Sequence, residues 1–233
     1  LLSLCVLPPG AAAKSWVASG ARDFSAGKLD GVSVLSSGEL ILAPRAEQIE
    51  GVETQFVWDA ETADDGTVYI ATGAPSAVYR LKGQKAELVH KIEQKQVLSV
   101  LPLPDGSVLA GTAPNGVIYR ISRHGKLTVF VDLEDAYVWD MVRGPVGRIY
   151  CATGPNGRLV ELSGSGKPTE LFKADQANLT CVAVDKEGTV YVGTSPGGYV
   201  YQIEHGRKVS VLYQAEEQEV HDLLIGPDGA LYA

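Results

Sequence analysis

The chain has 233 residues, of which 45% are hydrophobic and 21% are charged, so it has enough apolar content for a sizeable core. Lysine and arginine total 20 against 28 acidic residues, which gives a formal net charge of −8. This acidic balance disfavours nucleic acid and anionic membrane surfaces as partners, because both attract basic patches.

The chain begins with an uncharged apolar run. Residues 1–13 include Pro8-Pro9 and end in three alanines before Lys14, which is typical of the second half of a secretory signal peptide. The run is shorter than the roughly 18 apolar residues that a spanning helix needs, so no membrane span is predicted. A secreted or periplasmic protein is therefore expected, with residues 14–30 as its N-terminal segment. The alternative is an ordinary buried apolar segment.

A short hairpin is predicted next, at residues 31–46. Two alternating runs flank Ser37-Gly38, the residue types that favour a turn. Only 28 residues separate Gly38 from the first glycine of the repeat described below, so the hairpin is not a full copy of that repeat.

A glycine then recurs at intervals of 40 or 41 residues, at Gly66, Gly106, Gly147, Gly188 and Gly229. An apolar run precedes each glycine, and two alternating runs separated by a turn follow it, which is typical of β-strands. Four short strands per repeat of about 41 residues predict an all-β fold, a β-propeller of four-stranded antiparallel blades. The predicted blades are residues 56–96, 97–136, 137–177 and 178–218, followed by a partial blade at 219–233. The hairpin and the blades together make residues 31–233 the propeller domain.

Two features recur inside each blade. Pro114-Asn115-Gly116 and Pro155-Asn156-Gly157 predict hairpin turns, because asparagine and glycine accept a positive φ. A threonine recurs six residues after the marker glycine and is predicted to be buried with its hydroxyl bonded, because an unpaired buried hydroxyl costs about 1–3 kcal/mol. These threonines are Thr72, Thr112, Thr153 and Thr194.

Odd and even copies of the repeat differ. Seven residues before the marker glycine, Asp59, Asp140 and Asp222 alternate with Ser99 and Cys181. Duplication of a unit of about 81 residues explains this and favours an even number of blades, six ahead of eight. The chain stops inside a predicted strand, so a fragment lacking C-terminal blades is expected, with the hairpin completing the closing blade. The alternative is a five-bladed ring in which residues 31–45 pair with 219–233.

The alternating aspartates form the candidate site. The first residues of each inner strand are expected near the mouth of the central channel, where propellers most often bind ligands. Converging carboxylates suit a polar ligand or a cation. The four histidines show no metal-ligand spacing, so no metal site and no cofactor are predicted, with calcium as the alternative. The candidate ligand-binding residues are Trp58, Asp59, Trp139, Asp140, His221 and Asp222.

A structural role is the other interpretation of the aspartates, and it is the expected one, because a residue that recurs with the repeat usually serves the repeat. Each carboxylate would accept backbone amides and hold the blades in register, and its pKa would then be lowered. In a shared ligand site, repulsion between the carboxylates would instead raise at least one pKa.

The repeat resembles NHL-type repeats and gluconolactonase-like enzymes over about residues 31–233. The resemblance rests on an apolar run, Asp-Gly, the segment 68–73 (Val-Tyr-Ile-Ala-Thr-Gly) and the segment 78–81 (Val-Tyr-Arg-Leu). It implies a six-bladed propeller, and in the gluconolactonase-like group a metal-binding glutamate just before a run like Val57-Trp58-Asp59. Thr54 and Asp135 stand at the glutamate position here, so the resemblance carries over neither the metal site nor lactonase activity.

Two functions are open at this point. The predicted loops are short and uniform, which favours a non-catalytic scaffold that binds a protein or a small polar ligand. The alternative is a metal-dependent hydrolase, lactonase-like enzyme or lyase at the central channel, with His221 as base. The fold does not decide between them, because propellers host unrelated functions. Cys151 and Cys181 are expected to be separate buried thiols, with a disulfide as the alternative.

Overall fold

The computed structural model describes residues 21–43, 47–204 and 208–233. The predicted signal peptide, residues 1–13, lies outside the described residues. The chain divides into two compact units, one up to Gln48 and one from Ile49 onward. In the described parts of the chain, no helix is long and apolar enough to cross a membrane.

The first unit contains a short helix and a hairpin. Helix α1 is Ala21–Ser25, and strands β1 (Val32–Val34) and β2 (Leu40–Leu42) pair antiparallel. Gly38 in the connecting turn has a φ of 88°, a conformation that side chains with a Cβ rarely adopt. The helix was not predicted, because five residues are too few to show a helical period. The role of the hairpin in closing a ring stays a prediction.

The second unit consists of short strands joined by tight turns. In chain order the strands are β3 (Phe56–Thr62), β4 (Val68–Gly73), β5 (Ala77–Lys82), β6 (Lys85–Lys91), β7 (Gln96–Pro102), β8 (Val108–Ala113), β9 (Val117–Ile121), β10 (Leu127–Asp132), β11 (Tyr137–Arg143), β12 (Ile149–Gly154), β13 (Arg158–Leu162), β14 (Pro168–Lys173), β15 (Asn178–Val184), β16 (Val190–Ser195), β17 (Tyr199–Glu204), β18 (Lys208–Gln214), β19 (Leu224–Ile225) and β20 (Leu231–Tyr232). A 3-10 turn at Pro145–Gly147 joins β11 to β12.

The strands form successive antiparallel sheets. Strands β3–β6, β7–β10, β11–β14 and β15–β18 make four-stranded sheets, here called sheets 1 to 4, and β19 with β20 makes sheet 5. A single bridge between Gly73 and Gln96 connects sheets 1 and 2. Four-stranded antiparallel sheets that follow one another along the chain are propeller blades, so the predicted fold class is confirmed.

The apolar cores lie between neighbouring sheets. Between sheets 2 and 3, Leu109 and Ile118 pack against Val138 and Met141, and all four side chains are almost fully buried. Equivalent clusters join sheets 1 and 2, sheets 3 and 4, and sheets 4 and 5. Burying one such side chain contributes about 1.5–3 kcal/mol, so the sheets are held face to face mainly by these clusters.

Each inner strand is bulged at the same place. The pairing of β3 with β4 skips one residue between Val57 and Asp59, which makes Trp58 the extra residue. The same shift occurs in the other three complete sheets, where the extra residues are Leu98, Trp139 and Thr180. A bulge re-aims side chains that strict alternation would send to opposite faces. The tryptophan and the aspartate that follows it can therefore face one cavity.

The threonine column is confirmed as a buried hydrogen-bonding column. All four threonines are fully buried. Thr112 Oγ1 donates to the Val117 carbonyl at 2.7 Å, and Thr153 Oγ1 lies 2.6 Å from Asp135 Oδ2 and 3.0 Å from the Arg158 carbonyl. Each hydroxyl bonds across the turn that follows its own strand, so the column fixes the hairpin between the second and third strands of the sheet.

The turns are where predicted, although one reason given for them is wrong. Gly66 and the four equivalent marker glycines have φ between 71° and 86°, a region that favours glycine. In the Pro-Asn-Gly turns, however, only Gly116 and Gly157 have a positive φ, whereas Asn115 and Asn156 do not. The asparagine amides serve as side-chain donors instead, and Asn156 Nδ2 donates to Asp135 Oδ1 at 2.7 Å.

Replacing Thr153 by valine tests the threonine column. Valine keeps the shape but removes a hydroxyl that donates to Asp135, so Thr153→Val should lower the free energy of unfolding by about 1–3 kcal/mol in urea denaturation. Thr128→Val on β10 is the matched control, because its hydroxyl is exposed and should cost no more than about 0.5 kcal/mol. Equal losses in the two variants would contradict the role of the column.

Candidate functional site

The inner strands enclose a cavity of about 580 Å³. All six residues predicted from the sequence line it, namely Trp58, Asp59, Trp139, Asp140, His221 and Asp222. The first four lie at or just after the bulges of sheets 1 and 3, whereas His221 and Asp222 lie in the segment that precedes β19. The cavity therefore brings together residues that are separated by 81 or more positions in the chain.

Asp140 is the most strongly perturbed acid of the cavity. Its Oδ1 accepts the Met141 amide at 2.7 Å, and its Oδ2 accepts the Val182 amide of sheet 4 at 2.7 Å. Burial of the carboxyl raises its pKa to about 7, and the charges of Asp59 and Glu61 act in the same direction. The two amide bonds oppose this shift but do not cancel it.

Asp59 and Asp222 repeat part of this arrangement. Asp59 Oδ2 accepts the Val100 amide of sheet 2 at 2.8 Å, and Asp222 Oδ1 accepts the Leu223 amide at 2.8 Å. Burial raises the pKa of Asp59 above its usual range, and the nearby charge of Asp222 adds to the effect. The hydrogen bonds from backbone amides are those expected for the structural role. The lowered pKa expected with that role is wrong for Asp59 and Asp140.

Glu61 is a fourth acid of the cavity, and it was not predicted. Burial raises its pKa, and so do the charges of Asp59 and Asp222. The sequence does contain a signal for it. Five residues before the marker glycine the other repeats have apolar residues, Leu101, Val142, Ala183 and Leu224, so an acid in that column is an exception.

The alternation of odd and even copies has a hydrogen-bonding explanation. In odd sheets a carboxylate accepts an amide of the next sheet, as Asp59 and Asp140 do. At the same position in the even sheets a donor replaces the carboxylate: the Ser99 hydroxyl donates to the Val138 carbonyl at 3.1 Å, and the Cys181 thiol donates to the Val220 carbonyl at 3.5 Å. Acceptor and donor therefore alternate around the inner strands, and each pair ties two neighbouring sheets together.

The small residues on either side of the threonine alternate for a steric reason. A Cβ on Gly154 would collide with Trp139 Nε1 and Asn178 Oδ1, whose side chains hydrogen-bond at 3.0 Å. In an even sheet the glycine shifts to Gly111, where a Cβ would collide with Ser99 Oγ and the Val138 side chain. The glycine thus lies wherever the inner strand presses its polar side chain or tryptophan against the second strand.

The two tryptophans have ordered rings at the cavity. The Trp139 ring stacks on Tyr137 with centroids 5.1 Å apart, and the Trp58 ring stacks on Phe56 at 5.8 Å. Trp58 is 43% exposed. Both indoles keep part of their surface accessible to a ligand.

His221 stands in the tryptophan column but lies at the rim. Its side chain is 81% exposed, and Nε2 is 3.2 Å from Glu219 Oε2. Glu219 also accepts the Ser195 hydroxyl at 2.8 Å, which fixes the carboxylate that the histidine contacts.

The position at which gluconolactonase-like enzymes carry a metal-binding glutamate has another use here. Asp135 is buried and accepts bonds from Thr153, Asn156 and Arg158, which leaves its two oxygens fully engaged. Thr54 Oγ1 donates to the Gly73 carbonyl at 2.7 Å. Within residues 21–43, 47–204 and 208–233, no three histidine, cysteine or acidic side chains are grouped so that they could hold a metal ion.

The two cysteines are confirmed as separate buried thiols. Burial raises the pKa of Cys181 to about 12, and the thiol donates to the Val220 carbonyl at 3.5 Å. Both cysteines are protonated at neutral pH and act as small apolar side chains.

The sequence matches no protein-family model and no curated protein. Solved structures do match. A streptogramin B lyase is similar with a TM-score of 0.68 and 15% identity, over 80% of this chain and 64% of that one. A gluconolactonase-like protein has a TM-score of 0.62 and 16% identity, over 86% and 76% of the two chains. Nidogen in its laminin complex has a TM-score of 0.59 and 17% identity, over 68% and 65%.

These similarities confirm the resemblance to NHL-type and gluconolactonase-like propellers. At such low identity they show the fold alone. The chain spans 64% of the length of the streptogramin B lyase that it matches.

The pH dependence of stability tests the environment of Asp140. The folded-state pKa of about 7 exceeds the usual 3.8, so the folded protein binds this proton more tightly than the unfolded chain does. The resulting stabilisation is full below about pH 4 and is lost as the pH rises through about 7. The free energy of unfolding of the wild type should therefore fall relative to that of Asp140→Asn between these values, as measured by urea denaturation.

Asp65 supplies a control of opposite sign. Hydrogen bonds from Thr67 hold the pKa of this exposed carboxyl below its usual range. Its contribution is therefore present above the usual pKa and lost only as the pH falls, so Asp65→Asn should not gain on the wild type between about pH 4 and 7. Parallel pH profiles for the wild type and Asp140→Asn would show that the Asp140 carboxyl is not perturbed.

Proposed function

We propose that the protein is a secreted or periplasmic binding module whose inner-strand cavity takes a small organic cation. The observation that carries the proposal is the presence of four carboxyl groups and two indole rings around one cavity of about 580 Å³. A cavity of this volume is in the range of small-molecule sites. The signal-like composition of residues 1–13 supports the location outside the cytoplasm.

The carboxyl groups favour a positive ligand. Asp59, Glu61 and Asp140 all have raised pKa values, and in each case a neighbouring acid contributes to the shift. A cation in the cavity would offset this repulsion and lower the three pKa values again. Binding of the cation should therefore release protons near neutral pH.

The distribution of these groups favours an organic cation over a metal ion. A calcium ion needs six to eight oxygens at about 2.3–2.6 Å, whereas Asp59, Asp140 and Asp222 each commit an oxygen to a backbone amide. An ammonium group on an apolar body can instead contact carboxylates on one side and an indole face on the other. Cation–π contact with tryptophan contributes about 0.5–2 kcal/mol.

An enzyme is the second candidate. Asp140 has a pKa of about 7, which suits proton transfer at neutral pH, and His221 lies on the same cavity as a further base. This arrangement supports a hydrolase, lactonase-like or lyase reaction at the central channel, and streptogramin B lyase shows that a related fold hosts such an enzyme. Lactone hydrolysis or elimination that His221→Ala abolishes would favour the enzyme over the binding module.

Titration with benzyltrimethylammonium tests the binding module, with tryptophan fluorescence and calorimetry as readouts. Glu61→Gln removes one charge from the cavity and should weaken binding about fivefold, the equivalent of about 1 kcal/mol. Glu87→Gln on β6 removes the same charge outside the cavity and should leave the affinity unchanged. Calcium serves as the comparison ligand.

If the proposal of an organic-cation site is right, the titrations should give two results. The organic cation should bind more tightly than calcium, and its binding should quench or shift the tryptophan emission. Tighter binding of calcium, or equal effects of the two glutamine variants, would overturn it.

A further inference from the structure

We propose that a second cavity, between the turns of sheets 2 and 3, binds a small carboxylate with an apolar body, such as an aryl carboxylate. This cavity, here called the basic pocket, has a volume of about 520 Å³. Its apolar lining includes Leu103, Phe130 and Ile149. Three arginines also line it, Arg120, Arg143 and Arg148, together with one acid, Asp105. The inference does not depend on the function proposed for the inner-strand cavity.

Two of the three arginines are exceptions to the repeat. Four residues before the marker glycine the other copies have Thr62, Pro102, Val184 and Ile225, whereas sheet 3 has Arg143. Directly after the glycine they have Thr67, Ser107, Thr189 and Ala230, whereas sheet 3 has Arg148. Both exceptions line the same pocket, so the needs of the repeated fold do not explain them.

The charges of sheet 3 are also exchanged between strands. In sheet 2, Arg120 on the third strand binds Asp105 and donates from Nε to Ser107 Oγ at 3.0 Å. In sheet 3 the equivalent of Arg120 is Glu161, and it pairs with Arg148 at 3.3 Å. The exchange places an arginine directly after the marker glycine, and this residue, Arg148, lines the basic pocket together with Arg120.

The turn that carries Arg148 lacks a hydrogen bond that three of the other turns have. In sheets 1, 2 and 5, an aspartate of the turn accepts the amide of the residue two positions later, as Asp105 does from Ser107 at 3.0 Å. Sheet 3 has Val146 at that position, which is 97% exposed with a φ of 57°. A β-branched residue in this conformation is a backbone outlier, and such outliers gather at functional sites.

The arginines are held in place before any ligand arrives. Arg143 reaches the turn of sheet 1 and binds both oxygens of Asp64, at 2.6 and 3.1 Å. Arg120 and Arg148 are held by Asp105 and Glu161, and about a third to a half of each arginine side chain is exposed. Such solvated ion pairs are weak, and each guanidinium has five donors, so a ligand carboxylate can join or displace the protein carboxylate.

The ligand class follows from this combination. The planar fork of arginine matches a carboxylate in two parallel bonds, which a neutral amide cannot reproduce. The apolar lining rewards a ring or chain attached to that carboxylate, which acetate lacks. The basic pocket therefore selects for both parts of the ligand.

Titration of 2-naphthoate by calorimetry tests the inference, with 2-naphthamide and acetate as the neutral and the apolar-free comparisons. Arg148→Gln should weaken naphthoate binding about tenfold or more, because a charge-assisted bond is lost. Arg80→Gln is the matched control, since Arg80 forms the same kind of exposed ion pair with Glu87 in sheet 1, outside the pocket. Its naphthoate affinity should equal that of the wild type.

Gly164 allows a second test that leaves every arginine in place. It lines the basic pocket, and a Cβ added to it would meet no atom within 4 Å, with no positive φ to oppose a side chain. Gly164→Phe should fill the pocket and abolish binding, whereas Gly164→Ala should preserve it, and thermal denaturation would verify the fold of both. Naphthoate that fails to bind at about 1 mM, binds no better than the amide, or is unaffected by Arg148→Gln and Gly164→Phe overturns the inference.

Discussion

The rest of the structure depends on one recurring interaction. It consists of the bulge on each inner strand and the hydrogen bond that runs from this bulge to the next sheet. Apolar side chains between the sheets supply most of the packing energy, but they are not directional and do not set how far one sheet slides past another. The bond from Asp140 to the Val182 amide, and that from Ser99 to the Val138 carbonyl, supply this direction. Since the bulge also turns Trp139 and Asp140 toward the cavity, the feature that aligns the sheets also makes the site.

Because the same aspartates align the sheets and line the cavity, the requirements of stability and of ligand binding conflict. A carboxylate that accepts two amides is an ordinary structural acid, and its pKa should fall. Asp140 accepts two amides and yet has a raised pKa, because burial and the neighbouring acids outweigh the two bonds. The folded protein therefore keeps several acids together at an electrostatic cost that the sheet-to-sheet bonds alone do not require. Ser99 and Cys181 make the corresponding hydrogen bonds in the even sheets without any charge.

Aligning the repeats of the sequence identifies residues that recur in every blade and overlooks residues that differ from the rest of their column. The marker glycine predicted the strands and turns, and the threonine column was predicted to be buried with its hydroxyls bonded, because both serve every blade. The difference between odd and even copies was visible in the sequence, but its cause was not. The structure shows this cause. Asp59 accepts a hydrogen bond from an amide of the next sheet, whereas Ser99 donates one to a carbonyl of the next sheet. Glu61 was missed because alignment on the repeat draws attention to columns that agree.

Exceptions to the columns are therefore the better guide to function in this chain. A residue that recurs, such as Asp140, has a structural task in each copy, and any ligand must share it. Glu61, Arg143 and Arg148 each stand where the other copies have apolar or small residues, so no task of the blade explains their charge. The structure gathers these exceptions at two cavities of opposite character, Glu61 at the acidic inner strands and the two arginines at the turns of sheets 2 and 3. A repeated scaffold provides the walls of both cavities and part of their charge, and the departures from the repeat add one acid to the first cavity and two arginines to the second.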